Sequence, residues 1–159
     1  MYLLRHPDAT KLLYFKKNKM AKINSYLNFN GNTEEAFNFY KSVFGGEFAM
    51  LLRYKDTPEA GKVTQGDLEK IMHIALPIGH DNVLMATDAL ESMSRPLTAG
   101  NNFYLSLATE SEDEATRLFN GLSAGGIITM PLSKTFWGAY FGMLTDRFGI
   151  QWMVNYDYK

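Results

Sequence analysis

The sequence contains no cysteine among its 159 residues. This absence excludes a disulfide framework, a thiolate nucleophile and a cysteine-based zinc site. It also fits a cytoplasmic protein, because disulfides are rare where thiols are kept reduced.

Strong charge and long hydrophobic runs are absent as well. The net charge is −1 and the isoelectric point is about 6.3, whereas binding to nucleic acid requires a clustered basic surface. No apolar run has the length of a membrane span or of the core of a secretory signal. We therefore expect neither nucleic acid nor membrane as a partner.

Apolar residues make up 46% of the chain, enough to bury a sizeable core in one compact domain. Residues 1–20 differ from the rest because they are basic and carry only short apolar pairs. We expect a non-core extension over residues 1–20 and a single domain over residues 21–159; a basic arm or a swapped segment is the alternative for the extension. Its charged residues are Arg5, Lys11, Lys16, Lys17, Lys19 and one acid, Asp8.

The domain contains an internal repeat. Residues 26–29 (Tyr-Leu-Asn-Phe) match residues 104–107 (Tyr-Leu-Ser-Leu), and the helical pattern of residues 36–40 returns at 115–119. The matches predict two modules, at about residues 22–91 and 101–157. A glycine pair closes each repeated helix, at Gly45-Gly46 and at Gly125-Gly126.

Each module reads as a βαβββ unit. Asn32 with Glu35 and Ser111 with Glu114 have the spacing of a capping box at a helix start. Residues 56–69 are polar and turn-rich, which predicts a long mobile loop. The predicted strands are 23–29, 48–54, 71–77 and 82–90 in the first module, and 102–108, 127–131, 138–145 and 150–156 in the second.

One helix cannot cover both faces of a small curved sheet, so two modules must share a concavity. We therefore predict an α+β fold in which two βαβββ modules form a cup-shaped mixed sheet with the helices on its outer face. Cups of this kind suit small ligands.

The last hairpin, residues 137–152 with the turn Asp-Arg-Phe-Gly, resembles that of the vicinal-oxygen-chelate superfamily, the glyoxalase/bleomycin-resistance group. Residues 23–29, residues 32–40 (Asn-x-Glu-Glu-Ala-Phe-x-Phe-Tyr), His73 and residues 84–88 (Leu-Met-Ala-Thr-Asp) are similar to the PhnB-like subgroup. The resemblance covers residues 22–157 and implies the same pair of modules around a central cup.

Metal-using members of that superfamily carry one ligand on each of the first, fourth, fifth and eighth strands. The matching places here are Asn24, Met85 or Ala86, Asn102 and Met153. Amides and apolar side chains supply no anionic charge to a divalent ion, so we expect no metal and no other cofactor.

Two residues are candidates for catalysis. His73 lies mid-strand, across from about Ala86, and could act as a general base, or it could simply be satisfied inside the sheet. Asp88 could face the cup and pair with a ligand, or it could cap the following turn or hold a loop arginine such as Arg95. Asp146 is interpreted as a turn residue that accepts backbone N–H bonds.

We predict a metal-independent binder of a small molecule, aromatic or cationic, and a homodimer. The alternatives are a metal-dependent lyase, isomerase or dioxygenase and, from the label attached to PhnB-like proteins, a quinone-pathway methyltransferase, which lacks its usual glycine-rich motif here. The predicted ligand-binding residues share aromatic, thioether, amide or acidic side chains: Asn24, Tyr26, Met85, Asp88, Asn102, Tyr104, Trp137, Phe141, Met143 and Met153.

Overall fold

The computed structural model describes residues 22–93 and 96–158 as an α+β fold with two four-stranded sheets. The first module contains β1 (Ser25–Phe29), α1 (Thr33–Phe44), β2 (Met50–Arg53), β3 (Ile71–Ile78) and β4 (Asn82–Asp88). The second contains β5 (Leu105–Ala108), α2 (Glu112–Ser123), β6 (Ile127–Lys134), β7 (Ala139–Thr145) and β8 (Gln151–Asp157). The extension predicted for residues 1–20 lies outside the described residues.

The two sheets have the same topology, with strand orders β1-β4-β3-β2 and β5-β8-β7-β6. In each sheet the first strand pairs in parallel with the last, and the other pairs are antiparallel. The predicted α+β architecture of two βαβββ modules is confirmed.

Both helices begin close to their predicted positions, but only one capping box forms. The Ser111 hydroxyl accepts the backbone N–H of Glu114 at 3.1 Å and caps α2. In α1 the Asn32 side chain makes no capping bond. The helix starts directly after Asn32 as predicted, but the backbone N–H of Thr33 is bonded at 3.1 Å to the carboxylate of Asp88, so the capping bond comes from a distant strand.

The strands β2, β5 and β6 differ most from their predicted bounds. Tyr54 was expected at the end of β2 but starts a 3₁₀ helix, because the register shifts after Leu52. β5 begins at Leu105, three residues late, and β6 continues past Pro131 to Lys134. The pairing of β6 with β7 is irregular around that proline, which has no N–H for a regular ladder.

One hydrophobic core joins the two modules. Trp152 of β8 is 1% exposed, and its ring lies 5.7 Å from the rings of both Tyr40 and Phe44, which belong to α1. Phe148, in the last turn, lies 5.6 Å from Phe39 in the same helix. Trp152 therefore packs under a helix as predicted, and that helix belongs to the other module.

Candidate functional site

One face of the first sheet packs against the hydrophobic core, and the other face is open. The candidate site lies on this open face. Tyr26, Met85, Ala75 and Met50 occupy matching positions on the four strands, so their side chains share one face. Leu27, the next residue of β1, is 4% exposed and belongs to the core. The alternation of side chains along a strand therefore directs Tyr26 and Met85 away from the core.

The open face of the second sheet carries a corresponding row of four paired residues, three of which are methionines. Ser106, Met153, Met143 and Met130 are paired in register across β5, β8, β7 and β6. Trp152, beside Met153, faces the core. The candidates Met143 and Met153 thus lie together on the open face of the second sheet.

The two modules differ in the connection between their second and third strands. Residues 54–70 join β2 to β3, whereas residues 135–138 suffice to join β6 to β7. The longer connection contains three 3₁₀ helices, Tyr54–Asp56, Pro58–Lys62 and Gln65–Asp67. It lies beside the open face of the first sheet, and the second module has no counterpart among its described residues.

Asp67 ties this connection to the segment that follows β4. Its carboxylate accepts hydrogen bonds of 2.8 Å from the hydroxyls of Thr64 and Ser92, and it forms a 2.8 Å ion pair with Lys70. The ammonium of Lys70 and the two hydroxyls lower the pKa of Asp67 to about 2. Asp67 therefore remains ionised at neutral pH and joins two segments that border the same cavity.

A cavity of about 510 Å³ lies between the open face of the first sheet and these two segments. A volume of this size suits a small organic ligand. Two tyrosines and two methionines contribute to its wall beside aliphatic residues, and the polar groups include amide, hydroxyl and carboxylate functions. The lining residues that matter chemically are Tyr26, Asn28, Tyr54, Glu59, Met72, Thr87 and Met93.

Tyr26 and His73 form a pair on this face. The Tyr26 hydroxyl lies 3.2 Å from Nδ1 of His73, and the two ring centres are 5.7 Å apart. Partial burial raises the pKa of Tyr26 above the usual value of a phenol, and the neighbouring phenol of Tyr54 raises it further. His73 was predicted to lie across from about Ala86, and the structure pairs Ala86 with Ile74, the residue after His73.

Asp88 has a structural position. It is 2% exposed, and it accepts hydrogen bonds from the hydroxyl of Thr33 at 2.6 Å and from the backbone N–H groups of Thr33 and Ile71 at 3.1 and 2.8 Å. The carboxylate thus joins α1 to β3. The carboxylate does not cap the following turn, and it pairs with no arginine among the described residues. Arg95 itself lies outside the described residues.

The remaining sequence candidates lie apart from the cavity. Asn24 and Asn102 are exposed and precede β1 and β5, and Tyr104 is half-buried just before β5. Trp137 is 55% exposed in the short turn between β6 and β7, where its ring lies 5.9 Å from that of Phe141. Of the ten predicted ligand-binding residues, Tyr26 and Asp88 border the cavity of the first module, and the Asp88 carboxylate is turned away from it toward α1.

A family model described as 3-demethylubiquinone-9 3-methyltransferase matches residues 21–155. The chain belongs to this family. It is 31% identical over 137 residues to Protein YjdN of Escherichia coli K12, a match that covers 84% of the chain and 93% of that protein. PhnB-like proteins thus provide its sequence relatives as well as its fold.

Solved structures agree with this assignment. The PhnB-like chain is 43% identical to protein PA1353 from Pseudomonas aeruginosa, with a TM-score of 0.78 over 87% of the chain and 98% of that structure. A putative 3-demethylubiquinone-9 3-methyltransferase, PhnB protein, from Bacillus cereus is 28% identical, with a TM-score of 0.68 over 86% and 99%. A glyoxalase/bleomycin resistance protein/dioxygenase family enzyme from Burkholderia phytofirmans, 17% identical with a TM-score of 0.56 over 84% and 98%, shows the same fold.

The fold family includes metal enzymes, but the donor set of this PhnB-like chain does not fit a divalent ion. Met85 lies on the open face at the place of the fourth-strand ligand, while Ala86 is buried in the core. Met153 holds the corresponding place on β8. Thioethers are soft donors without charge, poorly suited to hard divalent cations, and no three His, Asp or Glu side chains of the described residues come together around a possible ion.

Sequence reasoning missed six of the seven chemically relevant cavity residues of the PhnB-like protein. Asn28 and Thr87 occupy the positions after Tyr26 and Met85 on the same face, so strand alternation could have identified them. Met72 is the second residue of β3, and Tyr54, Glu59 and Met93 lie outside the strands. No periodic signal marks the last three positions, because connecting segments bring them to the cavity.

Proposed function

We propose that this PhnB-like protein binds a small aromatic molecule in the cavity of its first module, without a metal ion. The observation that supports the proposal is a cavity of about 510 Å³ beside two phenols, which residues 54–70 and the segment after β4 form on one open sheet face. Flat aromatic faces stack on ring systems or attract cations, and thioethers adapt to irregular shapes. Met72 and Met93 supply such thioethers.

The negative charge at one edge of the cavity favours a ligand that is neutral or positively charged there. Glu59 is a carboxylate on the wall, and its described partner is Lys62, at 3.0 Å on the solvent side. A carboxylate beside aromatic rings attracts a cationic group through both its charge and the ring quadrupoles. The proposed ligand is therefore an aromatic compound, with or without a cationic substituent.

A thermal-shift panel of aromatic and cationic compounds tests the proposal, because a specific ligand stabilises the native state by mass action. Asn28→Trp should fill the cavity and abolish the shift seen with wild-type protein. Ser106→Trp is the control, since Ser106 is an exposed residue on the open face of the other sheet. A panel without any shift, or equal shifts in both variants, contradicts binding at this cavity.

Methyl transfer is the second candidate, because the matching family model is described by that activity. Such a reaction needs a binding site for a methyl donor, often a glycine-rich turn between a strand and a helix. In the described residues β1 is joined to α1 by Asn30–Asn32, with a single glycine. We rank methyl transfer below binding, and robust methylation of a demethylated quinone by the purified protein would reverse that order.

We also propose that the protein is a homodimer that associates through the second module. β6 and its turn expose five large apolar side chains, and Pro131 with its irregular pairing disfavours addition of another strand. Side-chain packing against a second copy would cover several hundred Å², approaching the roughly 800 Å² per partner of a standard interface. The five side chains are Ile127, Ile128, Met130, Phe136 and Trp137.

A further inference from the structure

The Tyr26–His73 pair has a preferred hydrogen-bond direction. Nδ1 of His73 lies 3.2 Å from the Tyr26 hydroxyl, and a neutral imidazole offers one bare nitrogen as an acceptor. That nitrogen is a stronger acceptor than a phenol oxygen, and a phenol O–H is a stronger donor than an imidazole N–H. The favoured arrangement has Tyr26 donating to Nδ1 while the hydrogen of His73 resides on Nε2.

Two further hydroxyls at the cavity give their hydrogens to the protein. Oγ1 of Thr87 lies 3.2 Å from the carbonyl oxygen of Ile71, and the Tyr54 hydroxyl lies 3.5 Å from the carbonyl oxygen of Asp88. A carbonyl oxygen can only accept, so each hydroxyl is the donor. The oxygens of Tyr26, Tyr54 and Thr87 therefore keep only lone pairs for a ligand.

We propose that His73 fixes the Tyr26 hydroxyl in this direction, so that the cavity floor accepts hydrogen bonds and selects an aromatic ligand carrying an N–H or O–H donor. The inference rests on the proposed binding function. His73 acts through Tyr26 and is a positioning residue. A ligand that presents only a carbonyl or ether oxygen to this part of the cavity faces the lone pairs of three hydroxyl oxygens. It gains no hydrogen bond there.

Nitrogen NMR of the free protein tests the tautomer without any ligand. In neutral His73 we expect a bare Nδ1 and a protonated Nε2, and we expect Tyr26→Phe to change the Nδ1 signal. A hydrogen on Nδ1 in the wild-type protein overturns the inference and leaves the proposed binding function untouched.

Two pairs of nearly isosteric probes test the selectivity: indole with benzofuran, and 2-naphthol with 2-methoxynaphthalene. One neutral hydrogen bond corresponds to roughly a threefold to tenfold difference in affinity, so the donor-bearing member of each pair should bind more tightly by that factor. His73→Phe keeps an aromatic ring but frees the Tyr26 hydrogen, and the ratio should fall toward one, although Tyr54 and Thr87 remain acceptors. His80→Phe, in the exposed turn after β3, should keep the wild-type ratio.

The outcomes separate the two proposals. Equal binding of both members to the wild-type protein overturns the donor selectivity and supports the binding function. An unchanged preference in His73→Phe overturns the role of His73. If no probe binds at all, the proposed binding function fails for aromatic compounds, and the selectivity fails with it.

Discussion

Tyr40 of α1 donates its phenolic hydrogen to Oδ2 of Asp146 at 2.7 Å, which joins the helix of the first module to the last hairpin of the second. The same oxygen accepts the indole N–H of Trp152 at 2.8 Å. The other oxygen accepts the backbone N–H groups of Phe148 and Ile150 at 2.8 and 3.0 Å. One buried carboxylate thus holds together the turn, the closing strand and the neighbouring module.

Tyr40→Phe should destabilise the protein by about 1–3 kcal/mol, because it keeps the ring but removes one donor from a buried carboxylate. Urea unfolding followed by circular dichroism measures the change. Tyr156→Phe is the matched control: Tyr156 is half-buried and its hydroxyl has no bonded partner among the described residues. Equal stability of Tyr40→Phe and wild type would show that the bond contributes nothing.

Tyr40 should also make stability fall at alkaline pH. Burial and the adjacent Asp146 raise the pKa of Tyr40 far above that of an unfolded tyrosine, which is about 10. Above pH 10 the unfolded chain loses this proton while the folded protein retains it, so the free energy of unfolding declines as pH rises. Tyr40→Phe should show a shallower decline than wild type between pH 9 and 11, and an identical slope would contradict this origin.

Asp67 should stabilise the protein at neutral pH and cease to do so in acid. Its folded pKa of about 2 lies below the unfolded value near 4, so its contribution is complete above pH 4 and disappears as pH falls through 2. Asp67→Asn should therefore lower the melting temperature at pH 7 and approach wild type near pH 2. Asp81→Asn, an exposed carboxylate 3.8 Å from Lys22, is the control and should have little effect at either pH.

Metal should not be required for folding. The Met85 and Met153 thioethers stand where charged ligands would be needed, so protein purified without chelator should carry less than a stoichiometric amount of any divalent ion. Elemental analysis measures the content, and EDTA should leave the melting temperature unchanged. A tightly held ion at one equivalent, with a fall in melting temperature after chelation, would support the metal-dependent alternative.

The dimer proposed above should depend on the turn between β6 and β7. Phe136 is 98% exposed and its ring lies 4.9 Å from that of Trp137. Phe136→Asp should raise the dimer dissociation constant at least tenfold, since it places an unpaired charge in an apolar interface. Sedimentation measures the mass against 18.0 kDa for one chain.

Ile23→Asp is the control for that experiment, because Ile23 is 95% exposed outside the second module. Fluorescence gives a second readout: Trp152 is buried in each chain, so a concentration-dependent shift in emission reports on Trp137. A wild-type protein that stays monomeric at about 100 μM contradicts the proposal. If deletion of residues 1–21 abolishes the concentration-dependent emission shift and Phe136→Asp does not, the exposed apolar surface of β6 and its turn binds the chain's own N-terminal segment.

Local patterns were sufficient to predict the repeat and most of the elements. The helical spacing from Ala36 to Phe44 and the glycine that follows predicted α1 closely, because an amphipathic stripe and its end are written in adjacent residues. Asp146 was interpreted correctly as a turn residue for the same reason. Its bonds to Tyr40 and Trp152 could not be predicted, since they join segments distant in sequence.

The candidate site was only partly predictable. Alternation placed Tyr26 and Met85 on one face of the first sheet, and the register confirms that they lie side by side. Asp88 follows the same strand but points toward the helix side, where Thr33 and Ile71 use its oxygens. Sequence spacing alone did not reveal this, because side-chain direction in a strand has a period of two residues, so a register error of one residue places a side chain on the opposite face.

The sequence by itself determined the class of fold, the twofold repeat and the absence of charged groups at the four ligand positions, because these depend on residue identity and local spacing. Tertiary structure decided where the candidate cavity lies, since the long connection of the first module and the segment after β4 border the open face of the first sheet, and the second module has only a short turn at the corresponding place. It also decided the direction of the hydroxyls around that cavity, which follows from contacts between strands that no local pattern encodes.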